Sequence, residues 1–308
     1  MVRLEFQDID RLKQIHFDAL KSYVKDRMRD KDRDAFYRSV VQLPGFKGFP
    51  ESFDVTDDTY EWLRIFVLAD YLQIKDWVKN VPANLKFDHM RKVYINYFSN
   101  GSKNFVDSSG TYNAYTLFRE MGIKVCPYCE HEFLDEVQVS NGTQEKRTIE
   151  FDHFYPKGDN SFPALAMCFY NLVPSCKACN QIKMSNPLGA NPYDPDIEKM
   201  TFLYPNLPIG TNMETVDSRD CDILLHSIGP MAVNNETLAL EQRYKNVSPE
   251  VYRLLKTRQQ FPDSKLEELE RMGYGSKESF LQGLFGNPRT KAKGSELHTK
   301  MKQDLIGW

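Results

Sequence analysis

The sequence predicts an α+β protein in which a small metal-bearing module sits between mainly helical N- and C-terminal regions. Three observations lead there. Apolar residues recur at helical spacing through the first third and again after residue 249. Five of the six cysteines fall within residues 121–200, where that spacing stops. Two short strand-like runs, Glu136–Val139 and Arg147–Phe151, flank Ser140–Gln144, whose Asn-Gly pair is a hairpin signal. The expected divisions are a helical region 1–120, a module 121–200 and a mainly helical region 201–308.

Within residues 8–41, Ile9, Leu12, Ile15, Phe17, Leu20 and Val24 form one helical stripe. The alternating charges of Lys25–Asp34 read as a solvated helix face with local ion pairs, or as a partner surface. Leu43–Pro50 carries two Pro and two Gly and is a loop. Asp57 and Asp58 are placed to cap a helix over 58–79. Helices are also expected over 84–99, ended by Asn100–Ser102, and over 111–121, so the first third reads as all-helical. The last third opens with a proline-rich extended stretch, Asn191–Asp196 to Tyr204–Pro208. Helices then follow at about 249–261, 263–272, 277–284 and 295–305.

The chain has 308 residues, 41% hydrophobic and 27% charged, which suits a folded core and excludes bulk disorder. No apolar run approaches the ~18 residues of a membrane span. The start, with Glu5, Asp8 and Asp10, lacks the apolar stretch of an export signal, so a cytoplasmic, reducing setting is expected. Cysteines there act as metal ligands or free thiols. The net charge of −3 confines any nucleic-acid contact to local patches. Residues 121–200 carry 7 basic and 11 acidic groups, and acid gathered with cysteine points to cations.

Cys126–Cys129 and Cys176–Cys179 are both C-x2-C knuckles, the usual grammar of a four-thiolate structural zinc site. Two intervening residues let a tight turn aim both sulfurs at one ion. Forty-six residues lie between Cys129 and Cys176, so a small insertion must leave and return. His131 follows the first knuckle, but four cysteines already close the tetrahedron. Cys168 and Cys221 lack partners at such spacing and read as core residues.

Between the knuckles lie EFDHFYPK (Glu150–Lys157) and FYNLVPSCKACNQIK (Phe169–Lys183). Here residues 125–185 resemble the HNH endonucleases, the ββα-metal family. The resemblance rests on Asp152-His153, Asn171 and Asn180, with Lys183 trailing. Asn180 stands where many members carry His. The same runs are similar to the PtuB-like HNH proteins that pair with ATPases in Septu-type anti-phage defence.

The resemblance implies metal-dependent hydrolysis of a phosphodiester. A neutral imidazole can take a proton from water, so His153 is the candidate general base. Asp152 and Asn180 offer oxygens to one Mg²⁺ or Mn²⁺ ion. Asn171 would tie down the loop and orient the base. Lys183 and Lys157 would contact phosphate. Glu150 has no place in the triad and is a strand-surface residue or a support to its neighbours. Asp88-His89 repeats the same two letters without cysteines nearby and reads as surface or packing.

The implied function is a DNA endonuclease serving anti-phage defence, with an ATPase as regulatory partner. RNA or tRNA cleavage, or a non-catalytic zinc-bearing interaction subunit, are the alternatives. The stretch Gly286–Lys302, with five Lys/Arg and one Glu, reads as a DNA-phosphate grip or a solvated tail. Some of the aromatics Tyr60, Trp62, Phe66, Tyr71 and Trp77 are candidates to anchor a protein partner.

Overall fold

The stripe expected over residues 8–41 folds as two helices, α1 (Ile9–Asp26) and α2 (Asp30–Val41). The computed structural model describes residues 1–99, 105–107, 110–139, 144–147, 149–158 and 161–308. Its architecture is α+β, with two compact units. One comprises 5–123 and 135–187; the other comprises 1–4, 124–134 and 188–308. These units do not coincide with the three consecutive divisions read from composition. Among the described residues, no helix is long and apolar enough to cross a membrane.

In the first unit, Asp8 caps α1 by accepting from Arg11 N at 2.9 Å. The helix expected over 58–79 also divides, into α3 (Glu61–Val67) and α4 (Tyr71–Asn80). Asp57 does not cap it. It accepts from Thr59 N at 2.9 Å, and Tyr60 enters α3 at φ 56°. Asp70 starts α4 instead, in a capping box with Gln73. A short helix α5 (His89–Val93) runs into a π-helical turn, Tyr94–Phe98. The break expected at Asn100–Ser102 lies outside the described residues.

The first third is not all-helical. Strands β1 (Phe105–Asp107) and β2 (Gly110–Tyr112) pair antiparallel before α6 (Ala114–Met121). Asn113 caps α6, and Gly122 ends it in the left-handed region at φ 66°.

The aromatics of this region make the core. Trp62 and Phe66 are fully buried, and Tyr60 and Trp77 nearly so. Phe66 stacks on Trp77 with centroids 5.8 Å apart. Of the five candidate partner anchors, these four therefore face inward. His89 packs as well, stacked on Phe36 at 5.5 Å.

The strand expected at 147–151 is divided between two pairings. Strand β3 (Glu136–Val139) pairs antiparallel with β4 (Gln144–Arg147); residues 140–143 of the turn lie outside the described residues. Strand β5 (Ile149–His153) pairs instead with β6 (Leu172–Cys176), placing Asp152 opposite Val173 and His153 opposite Leu172. Helix α7 (Lys177–Lys183) follows β6 directly. Asp152-His153 thus ends a strand paired to one about 20 residues downstream, not a hairpin strand.

In the second unit, β7 (Thr201–Asn206) lies in the stretch expected to be extended, and it pairs antiparallel with β8 (Asp222–Ser227). Helices α8 (Met231–Thr237) and α9 (Leu240–Lys245) precede four of the expected positions, α10 (Ser248–Gln260), α11 (Asp263–Arg271), α12 (Lys277–Phe285) and, past α13 (Arg289–Ala292), α14 (Thr299–Ile306).

The basic stretch 286–302 is neither a solvated tail nor a free phosphate grip. Arg289 and Lys293 reach Glu198 at 3.1 and 2.8 Å; Lys291 reaches Glu278 at 2.8 Å. Lys300 pairs with Asp304 at 2.5 Å and Lys302 with Glu296 at 3.6 Å. Each cation faces a carboxylate, so the excess of positive charge in the sequence is neutralised inside the unit.

Candidate functional site: a carboxylate–histidine cleft and a cysteine cluster

A cavity of about 530 Å³ in the first unit is lined by Glu150, Asp152 and His153 from β5, and by Asn180 from α7. Arg91 and Tyr94, from α5 and its continuation, line it as well, with Lys157 from the loop after β5. The residues read as base and cation ligands are therefore brought to one cleft. Strand β5 carries Asp152 and His153, with Glu150 beside them, and α7 brings Asn180 back alongside because it follows the paired strand without a linker.

His153 is only 4% exposed although it lines the cleft. Its Nε2 lies 3.0 Å from the Ala166 carbonyl. A carbonyl can only accept, so Nε2 carries the hydrogen and Nδ1 keeps the lone pair. Lys157 Nζ lies 3.2 Å from that Nδ1 and 4.6 Å from the centroid of the Tyr94 ring. Burial, with the Lys157 charge beside it, holds the imidazole well below its usual range, so His153 is neutral at pH 7. Burial likewise lowers Lys157.

Lys183 departs from its expected place at a phosphate. Its side chain is fully buried, with Nζ 3.0 Å from Asp152 Oδ1 and 2.7 Å from the His153 carbonyl. Asp152 itself is 3% exposed. The pair compensates two charges that would each be costly alone. Asn180 Nδ2 donates to Glu150 Oε2 across the cleft.

Asn171, fully buried, closes the loop that follows β5. Its Oδ1 accepts from Tyr155 N at 2.7 Å, and its Nδ2 donates to the carbonyls of Tyr155 (3.1 Å) and Leu165 (3.0 Å). A 3-10 turn, Pro163–Met167, serves several side chains at once. The carbonyl of Leu165 holds Asn171, that of Ala166 holds His153, and that of Met167 holds His16 at 2.7 Å.

Glu150 was read as a strand-surface residue or a support to its neighbours, and Arg91 and Tyr94 escaped the sequence reading. Glu150 lies two positions before Asp152, so strand alternation places both on one face, and this signal was available. Arg91 and Tyr94 come from a helix about sixty residues earlier, and nothing local marks them.

The four knuckle cysteines are buried, and their sulfurs lie within 4.8 Å of one another. A tetrahedral zinc–thiolate centre has bonds of about 2.3 Å and hence sulfurs roughly 3.8 Å apart. The cluster is thus placed to hold a metal ion such as zinc. Backbone N–H groups approach the sulfurs, His131 N at Cys129 and Cys179 N at Cys176, each 3.4 Å away. His131 is not in the cluster; its ring nitrogens lie 2.6 Å from the Cys129 carbonyl and 3.2 Å from that of Arg243. Cys168 and Cys221 are buried apart from it.

No protein-family model and no solved structure matches the chain. Among curated proteins it is similar to the Septu protein PtuB of Bacillus thuringiensis, 41% identical over 61 residues. That match spans 20% of each chain.

Proposed function

We propose that this chain is a metal-dependent endonuclease of the HNH type, acting on DNA as part of a Septu-like anti-phage defence system. The observation that carries the proposal is the orientation of His153. Its Nε2–H is committed to a backbone carbonyl, so Nδ1 is the basic nitrogen, in a cleft that also holds two carboxylates and an amide. The similarity to a Septu protein supports the defence setting.

In this reading the antiparallel β5–β6 pair and α7 form the ββα unit. His153 Nδ1 takes the proton of the attacking water, and the Ala166 carbonyl steadies the imidazolium that results. Glu150, Asp152 and Asn180 supply the hard oxygen donors that suit Mg²⁺ or Mn²⁺. When bound, such an ion offsets charge on the phosphate and leaving oxygen. Asp152 gives part of its charge to Lys183, which leaves Glu150 as the stronger anionic donor. Lys157 occupies the Nδ1 lone pair in the free protein, and an entering phosphate draws its ammonium away. Asn171 positions the loop that carries Lys157. The cysteine cluster holds a structural zinc ion. A regulatory protein partner, an ATPase by the Septu analogy, controls the activity.

Incubation of the purified chain with circular DNA and with RNA, in Mg²⁺, Mn²⁺ or EDTA, tests this. Metal-dependent nicking of DNA is expected. Cleavage of RNA alone would shift the substrate, and no cleavage in any arm, with or without ATPase partner, would leave a binding subunit.

A further inference from the structure

Helix α5 walls a second concavity besides the cleft. This groove, of about 400 Å³, is lined by Tyr23, Arg27, Met28, Arg29, Asp32, His89, Lys92 and Val93, all in the first unit. Three of the lining residues are fixed cations, against one carboxylate. Arg27 has no carboxylate partner among the described residues; its guanidinium lies 5.6 Å over the Tyr97 ring, and Tyr97 pairs with Tyr23 at 4.8 Å. Arg29 spends only Nε on Asp32, at 2.6 Å. Lys92 shares Asp88 with Arg91, at 3.1 and 3.8 Å. Arg29 and Lys92 remain 72% and 65% exposed, so their charges face water. Among the described residues, Nδ1 of the lining residue His89 is out of solvent and lacks a hydrogen-bond partner.

Resting on the nuclease reading, we infer that this groove binds the phosphate backbone of the substrate strand beyond the cleft. The geometry of α5 connects the two. Helix α5 gives Arg91 to the cleft and His89, Lys92 and Val93 to the groove, and the π-helical turn that continues it adds Tyr94 and Ile95 to the cleft. The cleft and groove are therefore the two flanks of one helix. A helix with its side chains is ~10 Å wide, so a strand lying across it meets both flanks within a few nucleotides. A strand whose scissile bond lies at His153 and which crosses α5 brings its next phosphates to Lys92, Arg27 and Arg29. The Tyr23–Tyr97 pair beside Arg27 offers an aromatic face to a base. This explains how a chain of net charge −3 holds a polyanion: the excess is local. It also assigns a use to Arg27 and Arg29, whose neighbours Lys25 and Arg33 are held by Asp58 and Asp30.

The test uses the full chain carrying His153→Ala, so that binding is read without cleavage. A labelled single-stranded DNA oligonucleotide of about 20 nucleotides is titrated at several NaCl concentrations, with and without Arg27→Gln, Arg29→Gln and Lys92→Gln together. The triple variant is expected to bind roughly 10- to 100-fold more weakly at low salt. Its log–log salt slope should fall by about 2, near 0.7 for each phosphate no longer neutralised by a side chain. Its melting temperature should match that of the parent, since all three charges are solvent-facing. Equal affinity and equal slope would overturn the groove while leaving the nuclease reading intact if the unmutated chain cleaves. A His153→Ala parent that does not bind nucleic acid, together with an unmutated chain that does not cleave it, would overturn both. Intact DNA binding with loss of a protein partner in the triple variant would also overturn the inference.

Discussion

Lys183 Nζ lies 3.0 Å from Asp152 Oδ1, and both side chains are buried. The ammonium three residues past Asn180 thus braces the first acid of the Asp-His pair from inside. Removing either partner leaves an uncompensated buried charge, at a cost of about 3–5 kcal/mol. Lys183→Ala should therefore lower the urea midpoint strongly, and Asp152→Ala should do the same while it abolishes activity. The double variant Asp152→Asn with Lys183→Met should recover much of the stability and none of the activity. Denaturation curves of the three proteins check this.

His153→Ala should reduce cleavage by at least ~10²-fold through loss of the base. The residue is buried and hydrogen-bonded rather than facing open solvent, so a stability loss of about 1–3 kcal/mol is expected as well. Zinc content should not change. Elemental analysis and calorimetry alongside the rate measurement separate these effects.

Asn171→Ala removes three hydrogen bonds that tie residue 155 to residue 165. Destabilisation of about 3 kcal/mol is expected from the buried groups left unpaired. Cleavage should fall in kcat more than in KM, because the loop misplaces Lys157 and the carbonyl that holds His153. A variant as active and as stable as the parent would remove Asn171 from the account.

Zinc should be present at one ion per chain, and Cys176→Ser should lower the melting temperature and the zinc content together. Chelation by a strong zinc ligand should unfold the protein before it affects any other property. Purified protein free of zinc and fully folded would exclude the structural role.

Stability should also depend on acid through His16. Burial lowers its pKa to about 4, from 6.5 in the unfolded chain. Below pH 6.5 the unfolded chain takes up a proton that the folded one refuses until about pH 4. The contribution is complete above pH 6.5 and is lost as pH falls toward 4, about 3 kcal/mol in all. Urea midpoints at about pH 7 and about pH 4.5, either side of most of this window, measure it. His16→Gln, which cannot titrate, should be less stable at neutral pH and show a shallower dependence on pH.

Much of the site was legible because strand and helix geometry act locally. Asp152, His153 and Asn180 reach one cleft through a strand pair and a helix that starts on its last residue. Glu150 was left between a surface role and support of its neighbours, although strand alternation already put it on the face of Asp152. The burial of Lys183 was not legible: its helical position is compatible with either face, and only the packing of β5 against α7 decides. Nor could the Ala166 carbonyl be foreseen, since any residue supplies one. In the fold, the long helices of 8–41 and 58–79 each divide, the second where Asp70 offers a better cap than Asp57. The basic stretch 286–302 misled because its carboxylate partners, Glu198 and Glu278 among them, are distant in sequence or lie in another helix.

The central claim is that His153 is the base of a nuclease, and paired cleavage assays test it most directly. Wild-type and His153→Ala proteins of equal zinc content are incubated with supercoiled plasmid and Mn²⁺, and with the ATPase partner where one is required. The account predicts nicked and linear DNA from the wild type, none with EDTA, and at least ~10²-fold slower conversion by the variant. Cleavage by His153→Ala at the wild-type rate would contradict it.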